Sequence, residues 1–289
     1  MVGVTQQFGS AHTERKLQAV QKYLGAFTTA LKKQSFELIY VDACAGSGSS
    51  AVRREERQGQ LIDVDEITIG SAVRALQIGT PFDRYVLNDA KRKNARSLKS
   101  IVDSQFVTLR DRVTIMQSDA NQALVKLCQS TNWRKSRAVV FLDPFGLQLN
   151  FSMVEELGKT QAVDLWYLVP VFGMSRQIKG DGSILEPGGT RIDNMLGTQA
   201  WRKGVIIERR GETDLFGEVT PSIEKVANSA WFERVAMDQL ASVFQGGVLE
   251  ETLPLGRNGL HEFSLVFTCA NPRSGANELA KRLAKAVLK

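Results

Sequence analysis

The sequence contains little cysteine and histidine: three cysteines and two histidines among 289 residues. The cysteines lie on or beside apolar segments without C-x-x-C spacing, so we expect neither a disulfide framework nor a metal site. His12 and His261 are far apart and no G-x-S-x-G motif occurs, which argues against a histidine-rich metal centre and Ser-His-Asp catalysis. Unpaired cysteines are typical of a reducing compartment, and we therefore expect a cytoplasmic protein.

Long apolar runs are also missing. No stretch of about 18 consecutive apolar residues occurs, and the first ten residues lack the pattern of a secretory signal, so we expect no membrane partner. The charge is a moderate excess, with 37 basic and 31 acidic residues giving +6 at pH 7. Such a chain is compatible with a polyanionic partner, RNA or DNA, without requiring one.

Short apolar segments alternate with helical patterns in the first 171 residues. Because apolar strands separated by helical crossovers form a parallel sheet covered on both faces, the sequence predicts an α/β fold of the Rossmann-like kind. The predicted strands are 36–42, 85–87, 113–116, 138–142 and 163–169, and the predicted helices are 13–33, one from Lys91, one around Leu124 and one around Val154.

The later sequence is less regular. Residues 172–189 predict a mobile loop that could gate a pocket, followed by helices over 193–203 and 222–244, a strand over 261–269 and a closing helix. We therefore divide the chain into a core with its N-terminal helix (1–171), a loop and helical insertion acting as lid or target-recognition region (172–250), and the last strands and helix (251–289). Residues 52–69 predict a surface insertion.

An apolar strand runs into a carboxylate and a glycine turn at Phe36-Glu-Leu-Ile-Tyr-Val-Asp42-Ala-Cys-Ala-Gly46-Ser-Gly48. Glycine permits positive φ and close approach of backbone N–H groups to a ligand, so the segment predicts a nucleoside-cofactor site. An ordinary strand-to-helix turn is the alternative. Gly46 to Ala51 also fits the G-x-G-x-x-A dinucleotide pattern, but Asp42 would face the diphosphate. S-adenosylmethionine (SAM) has no phosphate and suits a carboxylate better.

Further carboxylates follow the next strands. Asp89 could accept ribose hydroxyls and Asp119 an adenine amine, whereas the alternative for both is capping of the following helix. Since ligands bind outside the carboxyl ends of parallel strands, we expect these acids around one crevice. The predicted SAM-binding residues are Asp42, Ala43, Ala45, Gly46, Gly48, Asn88, Asp89, Asp119 and Ala120.

Asp143-Pro144-Phe145-Gly146 predicts the catalytic residues. An exocyclic base amine is a weak nucleophile, and the Asp143 carboxylate and Pro144 carbonyl could accept its two N–H groups and favour attack. Phe145 offers a face for an extruded base. A plain β-turn is the alternative.

Two basic clusters are candidates for phosphate binding or for a merely solvated surface. They are Arg92, Arg96 and Lys99 on one helix, and Arg134, Lys135 and Arg137 in a loop.

Several of these motifs resemble those of known families. His12 to Leu24, Tyr40 to Gly48, Gly70-Ser71, Leu142 to Gly146 and Glu262 to Asn271 together resemble the three-Cys-motif partner proteins, which are bacterial. The resemblance implies a SAM-dependent methyltransferase-like fold and a separate protein partner with a three-cysteine motif.

Asn88-Asp89, Asp119 to Asn121 and Asp143 to Gly146 are similar to motifs of the tRNA guanine-N2 dimethyltransferases, which implies an exocyclic base amine as target. The commoner amino-methyltransferase motif is D-P-P-[YFW], from which Phe145 and Gly146 depart. Our leading hypothesis is thus a SAM-dependent methyltransferase acting on a nucleic-acid base. A non-catalytic module serving a partner protein and a nicotinamide oxidoreductase are the alternatives.

Overall fold

The computed structural model describes residues 10–51, 67–209 and 222–289. Its main feature is a seven-stranded sheet, accompanied by two small antiparallel sheets of two strands each. The strands are β1 (Glu37–Asp42), β2 (Ser49–Ala51), β3 (Ile67–Ile69), β4 (Arg84–Asn88), β5 (Val113–Met116), β6 (Ser136–Leu142), β7 (Val163–Val169), β8 (Ile206–Arg209), β9 (Ser222–Lys225), β10 (Leu253–Leu255) and β11 (Phe263–Cys269).

The large sheet has the order β10-β11-β7-β6-β1-β4-β5. Strands β5, β4, β1, β6 and β7 are parallel, whereas β11 runs antiparallel to both β7 and β10. The predicted Rossmann-like α/β fold with a mostly parallel sheet is confirmed. The carboxyl ends of the five parallel strands meet at one side of the sheet, which we call the C-edge.

Helices cover both faces of this sheet, as predicted. They are α1 (Ser10–Leu31), α2 (Ser71–Leu76), α3 (Arg92–Gln105), α4 (Ala120–Ser130), α5 (Phe151–Lys159), α6 (Val171–Ser175), α7 (Gly188–Leu196), α8 (Ser229–Val243) and α9 (Ser274–Val287). Apolar side chains of α1, α2, α3 and α9 pack on one face, and those of α4 to α8 pack on the other. No helix in the described ranges is long and apolar enough to cross a bilayer.

The first helix confirms the predicted amphipathic pattern. Leu17, Val20, Leu24 and Phe27 are all buried against the sheet, as their spacing of three and four residues requires. An ion pair and hydrogen bond from Arg74 of α2 to Glu14 of α1 fixes the two helices side by side. The N-terminal half of α1 is thereby held beside the C-edge.

Predictions for the later chain were partly wrong. The segment 172–189 is only partly irregular: it begins within α6 and ends within α7, residues 176–187 between them form no helix or strand, and Met174 and Ile178 are buried in the core. Gly197, in the left-handed region at φ +68°, ends α7, so the helix predicted over 193–203 is broken. The start of the helix predicted at 222 is strand β9, and α8 begins only after Asn228, whose side chain accepts a hydrogen bond from the Trp231 N–H.

The helical insertion lies between β7 and β10 and shares its apolar core with one face of the sheet. The division at 172 and 250 and the lid role remain predictions. Of the surface insertion predicted over 52–69, residues 52–66 lie outside the described part, and residues 67–69 form β3, which pairs with β2.

The buried carboxyl group of Asp164 makes stability depend on pH. Burial raises its pKa to about 7, although the hydrogen bond from the Tyr23 hydroxyl at 2.6 Å opposes the shift. The folded state therefore binds a proton that the unfolded state releases near pH 4, so stability should fall as pH rises from about 4 to 7. We expect Asp164→Asn to make that decline in urea unfolding midpoints shallower, leaving the part that the buried Asp42 contributes. Asp238→Asn, on an exposed part of α8, is the control. If the unfolding midpoint depends equally on pH in both variants, Asp164 is not the source of the pH dependence.

Candidate functional site

A tight glycine turn follows β1 at the C-edge. Gly46 and Gly48 both lie in the left-handed region, with φ of +64° and +85°. A Cβ on Gly48 would lie 2.8 Å from Cδ1 of Ile101, whereas one on Gly46 would have no heavy atom within 4 Å. Gly48 is therefore required by packing, and Gly46 borders open space in which a ligand could approach the backbone.

The Asp42 carboxylate lies beneath this turn and is fully buried. It accepts hydrogen bonds from the Cys44 N–H and the Tyr40 hydroxyl, each at 3.3 Å, and from the Ser71 side chain. Burial raises the pKa of Asp42 to about 7, the bond from Ser71 lowers it, and the nearby charge of Asp143 raises it. Asp42 thus joins β1 to the start of α2.

Asn88 and Asp89 hold the neighbouring strand ends together. The Asn88 side chain is buried and donates to the carbonyls of Ala43 and Ser118, both at 3.0 Å. Asp89 accepts from the Gly46 N–H at 3.1 Å through Oδ2, and from the Lys91 N–H at 2.7 Å through Oδ1. Asp89 therefore links the glycine turn to Lys91, the residue from which α3 starts, although its side chain does not cap the helix.

Asp119 is the N-cap of α4, with Oδ1 accepting from the N–H groups of Asn121 and Gln122 at 3.0 and 3.3 Å. The capping alternative is confirmed for this residue. Asn121 in turn bonds to the Gln148 carbonyl and the Asn150 N–H. The start of α4 thereby anchors the segment that follows β6.

Asp143 follows β6 directly and forms an ion pair with the Nζ of Lys16 from α1. The Lys16 side chain is only 13% exposed. One turn before Lys16, Nδ1 of His12 is buried without a hydrogen-bond partner among the described residues. The first helix therefore brings two polar side chains toward this side of the sheet.

The two residues after Asp143 differ sharply in burial. Pro144 is buried, whereas Phe145 is 85% exposed, the most exposed large apolar side chain of the described residues. The Lys91 Nζ lies 5.5 Å from the centre of the Phe145 ring. Gly146 has φ of +70°, so the backbone turns sharply here and presents the ring to solvent.

The four predicted carboxylates converge on one place. Burial raises the pKa of the Cys44 thiol to about 12, and the negative charges of Asp42, Asp143, Asp89 and Asp119 all contribute to that rise. The four residues end or follow β1, β4, β5 and β6, which are neighbours in the sheet, and the Gly46 N–H donates to Asp89 beside them. The arrangement is an acidic, hydrogen-bonded rim at the C-edge, in which Lys16 offsets the charge of Asp143 and Asp42 is buried.

Other predicted groups lie elsewhere. Arg134, Lys135 and Arg137 are at the start of β6, on the opposite edge of the sheet, and the Arg137 guanidinium stacks 3.8 Å from the centre of the Phe36 ring. Two surface depressions of about 320 and 340 Å³, one beside α1 and α2 and one beside α5 and α8, are lined by none of the four carboxylates. No described cluster of His, Cys, Asp and Glu is arranged to hold a metal ion.

Sequence reasoning missed the contacts of Lys16, Lys91, Ser71 and Asn121. The only signal for Lys16 was a lysine at the border of the apolar stripe of α1, and this does not identify a partner 127 residues away. Ser71 and Asn121 stood at helix starts, where polar residues are common for local reasons.

Comparison with known proteins supports the fold only. No protein-family model matches the chain, and no curated protein sequence matches it. Protein LPL1258 from Legionella pneumophila, described under the family model DUF519, is similar over 97% of this chain and 92% of its own, with a TM-score of 0.51 and 12% identity.

Weaker similarities involve proteins described as methyltransferases. The Escherichia coli protein yhhF covers 59% of this chain and 74% of its own at 12% identity, and the plantazolicin methyltransferase BpumL, solved with SAH, covers 91% and 86% at 9% identity. Their TM-scores of 0.30 and 0.32 are too low to support an argument. The likeness to LPL1258 shows that the Rossmann-like fold recurs in a solved structure.

Proposed function

We propose that this chain is a SAM-dependent methyltransferase that acts on an exocyclic amine of a nucleic-acid base. The observation that carries the proposal is that Asp42, Asp89, Asp119 and Asp143 all lie at the carboxyl ends of neighbouring strands beside the glycine turn at the C-edge. Ligands of parallel α/β sheets bind in this position. The motif resemblances described above agree with this reading.

The charge of the site favours SAM over a dinucleotide. SAM carries a sulfonium and an ammonium group, and it has no phosphate that four nearby carboxylates would repel. Open space beside Gly46 allows a ligand to reach the backbone there. Asp119 uses Oδ1 for two backbone N–H groups, and Asp89 uses Oδ1 for the Lys91 N–H and Oδ2 for the Gly46 N–H, so both carboxylates are held in place at the C-edge.

The other residues predicted to bind SAM shape the site by holding the turn or by leaving room beside the backbone. The amide of Asn88 is bonded to Ala43, so we assign it to holding the turn rather than touching the cofactor. Ala43 and Ala45 lie in the turn itself, and Ala120 follows the Asp119 cap. Small side chains at these positions leave room beside the backbone.

The proposed chemistry is a methyl transfer to nitrogen. When bound, SAM supplies an electrophilic methyl group whose bond to sulfur breaks as the bond to nitrogen forms. Asp143 and the Pro144 carbonyl accept the two N–H groups of the amine and direct its lone pair, and the methylated amine then releases one proton to water. Phe145, fully presented to solvent by the turn at Gly146, stacks on the base. To reach Asp143, the amine displaces the Lys16 ammonium or shares the carboxylate with it.

Calorimetry and label transfer test the proposal. We expect SAM to bind in isothermal titration and NAD to give no heat, because of the negative rim. With SAM bearing a labelled methyl group, we expect label to enter one class within a mixture of tRNA, rRNA and DNA. Absence of SAM binding at millimolar concentration would refute the proposal.

The Lys16 contact favours a second candidate function. An ammonium group already occupies an oxygen of Asp143, which is the acceptor that catalysis needs. A module that binds SAM without transferring its methyl group, and serves a three-Cys-motif protein, would retain such a pair. SAM binding without label transfer to any nucleic acid would favour this module.

A further inference from the structure

We propose that the C-edge binds a single-stranded segment of nucleic acid, which crosses the ends of β4, β1, β6 and β7 between two pairs of an aromatic ring and a cation. The first pair is Phe145 with Lys91, and the second is Phe172 with Arg176. This deepens the proposed function, on which it rests for the entry of a target base at Asp143. The second pair belongs to no motif considered in the sequence.

The first pair spans the proposed cofactor site. Lys91 precedes α3 on the β4 side, and Phe145 follows β6, so their contact passes across the end of β1, which lies between those strands. Exposed cations continue along α3 from this point: Arg92, Lys93 and Arg96. Phosphate groups of the bound segment would lie over these cations of α3 rather than over the carboxylates beside the glycine turn, while an uncharged base meets the open face of Phe145.

The second pair borders the same loop from the other side. Phe172 and Arg176 lie in and just after α6, and the Arg176 guanidinium is 5.4 Å from the centre of the Phe172 ring. A Cβ on the adjacent Gly173 would lie 4.0 Å from Cδ2 of Leu147, so α6 abuts the segment after Gly146. Buried Val171 and Met174 fix the helix, while Arg176 is exposed.

The width of the C-edge from β4 to β7 fits a short unpaired segment. The ends of β4 and β7 are three strand spacings apart, or about 14 Å at ~4.8 Å per spacing. This distance accommodates a few nucleotides at a stacked rise of ~3.4 Å. Stacking on a ring requires a base face freed from its neighbour, which a duplex interior does not offer.

A protein partner suits this surface less well. Docking of a folded protein is typical of contiguous apolar patches, whereas Phe145 and Phe172 are separate rings, each paired with a cation. A cation over an aromatic ring places positive charge beside a stacking surface, and this combination is what binds single-stranded nucleic acid.

The experiment measures fluorescence anisotropy of the whole chain with labelled 12-nucleotide single strands, RNA and DNA, and with duplexes of the same sequence. We expect single strands to bind at least ten-fold more tightly than duplexes. Arg176→Gln and Phe145→Ala should each weaken that binding by about 5- to 20-fold. Arg176→Gln should also reduce the slope of affinity against salt by ~0.7 if one phosphate contact is lost.

Arg134→Gln is the matched control, an exposed arginine at the opposite edge of the sheet. Equal affinity for duplex and single strand, equal loss in Arg176→Gln and Arg134→Gln, or binding of neither nucleic acid would overturn the inference. Titration of SAM into the same samples separates the two proposals. SAM binding without single-strand preference leaves the cofactor site standing, and single-strand binding without SAM binding supports the surface alone.

Discussion

Replacing Asp143 with asparagine should lower the rate of methyl transfer by about 100- to 1,000-fold, which is the effect of losing one preorganised electrostatic contact. The affinity for SAM should stay within about two-fold of wild type. The amide has the same shape, but its NH₂ group faces an amine that needs acceptors. Label incorporation into mixed RNA and DNA, measured beside SAM calorimetry, separates the two quantities.

Two controls make this result specific. Asp111→Asn changes a largely exposed carboxylate, 94% accessible, and should leave both rate and affinity unaltered. Thermal unfolding shows whether Asp143→Asn remains folded once Lys16 has lost its ionic partner. If the label enters the Asp143→Asn variant at the wild-type rate, Asp143 is not the acceptor for the amine.

Alanine at Gly48 should weaken SAM binding by at least ten-fold and lower the free energy of unfolding by about 2–3 kcal/mol, because it combines backbone strain with overpacking. The φ of +85° disfavours an L side chain, and the new Cβ would meet Ile101 at 2.8 Å and Leu98 at 3.1 Å. Isothermal titration and urea unfolding measure the two effects.

Two other glycines provide the comparison. Gly79→Ala should change neither quantity, because a Cβ there has open space and no positive φ. Gly46→Ala should lower the free energy of unfolding less than Gly48→Ala, because no heavy atom lies within 4 Å of a Cβ placed on Gly46. It should still impair SAM binding, because the new methyl group fills the space beside the turn. Wild-type SAM affinity in Gly46→Ala would place the ligand elsewhere.

The sequence alone predicted those elements whose structure is decided by a local pattern. β7 has the predicted bounds because seven consecutive buried residues lie between Ala162 and Pro170. The carboxylates follow β1, β4, β5 and β6 because each ends an apolar strand, and parallel strands bring such ends together. Helix α1 followed from its periodicity alone.

Tertiary contacts decided what local patterns could not. β10 has three residues, one of them Pro254, which is tolerated at the edge of a sheet and carries no strand pattern by itself. The hydrogen bond from the Gly46 N–H to Asp89 could not be predicted from the sequence, because a carboxylate before a helix is expected to cap that helix. Likewise, the pairing of Lys16 with Asp143 depends on how a helix docks on a sheet.

The packing of α1 has a consequence for biosynthesis. Its apolar stripe is completed by contacts with α9, about 260 residues later in the chain, and the charge of Lys16 is matched only after β6 has formed. At ~5–20 residues per second, a ribosome needs on the order of 10–50 s to produce that interval. During this time the nascent helix exposes Leu17, Leu24 and Phe27 to solvent or to a chaperone. Slow translation should therefore increase aggregation of this protein more than slow refolding of the full chain does.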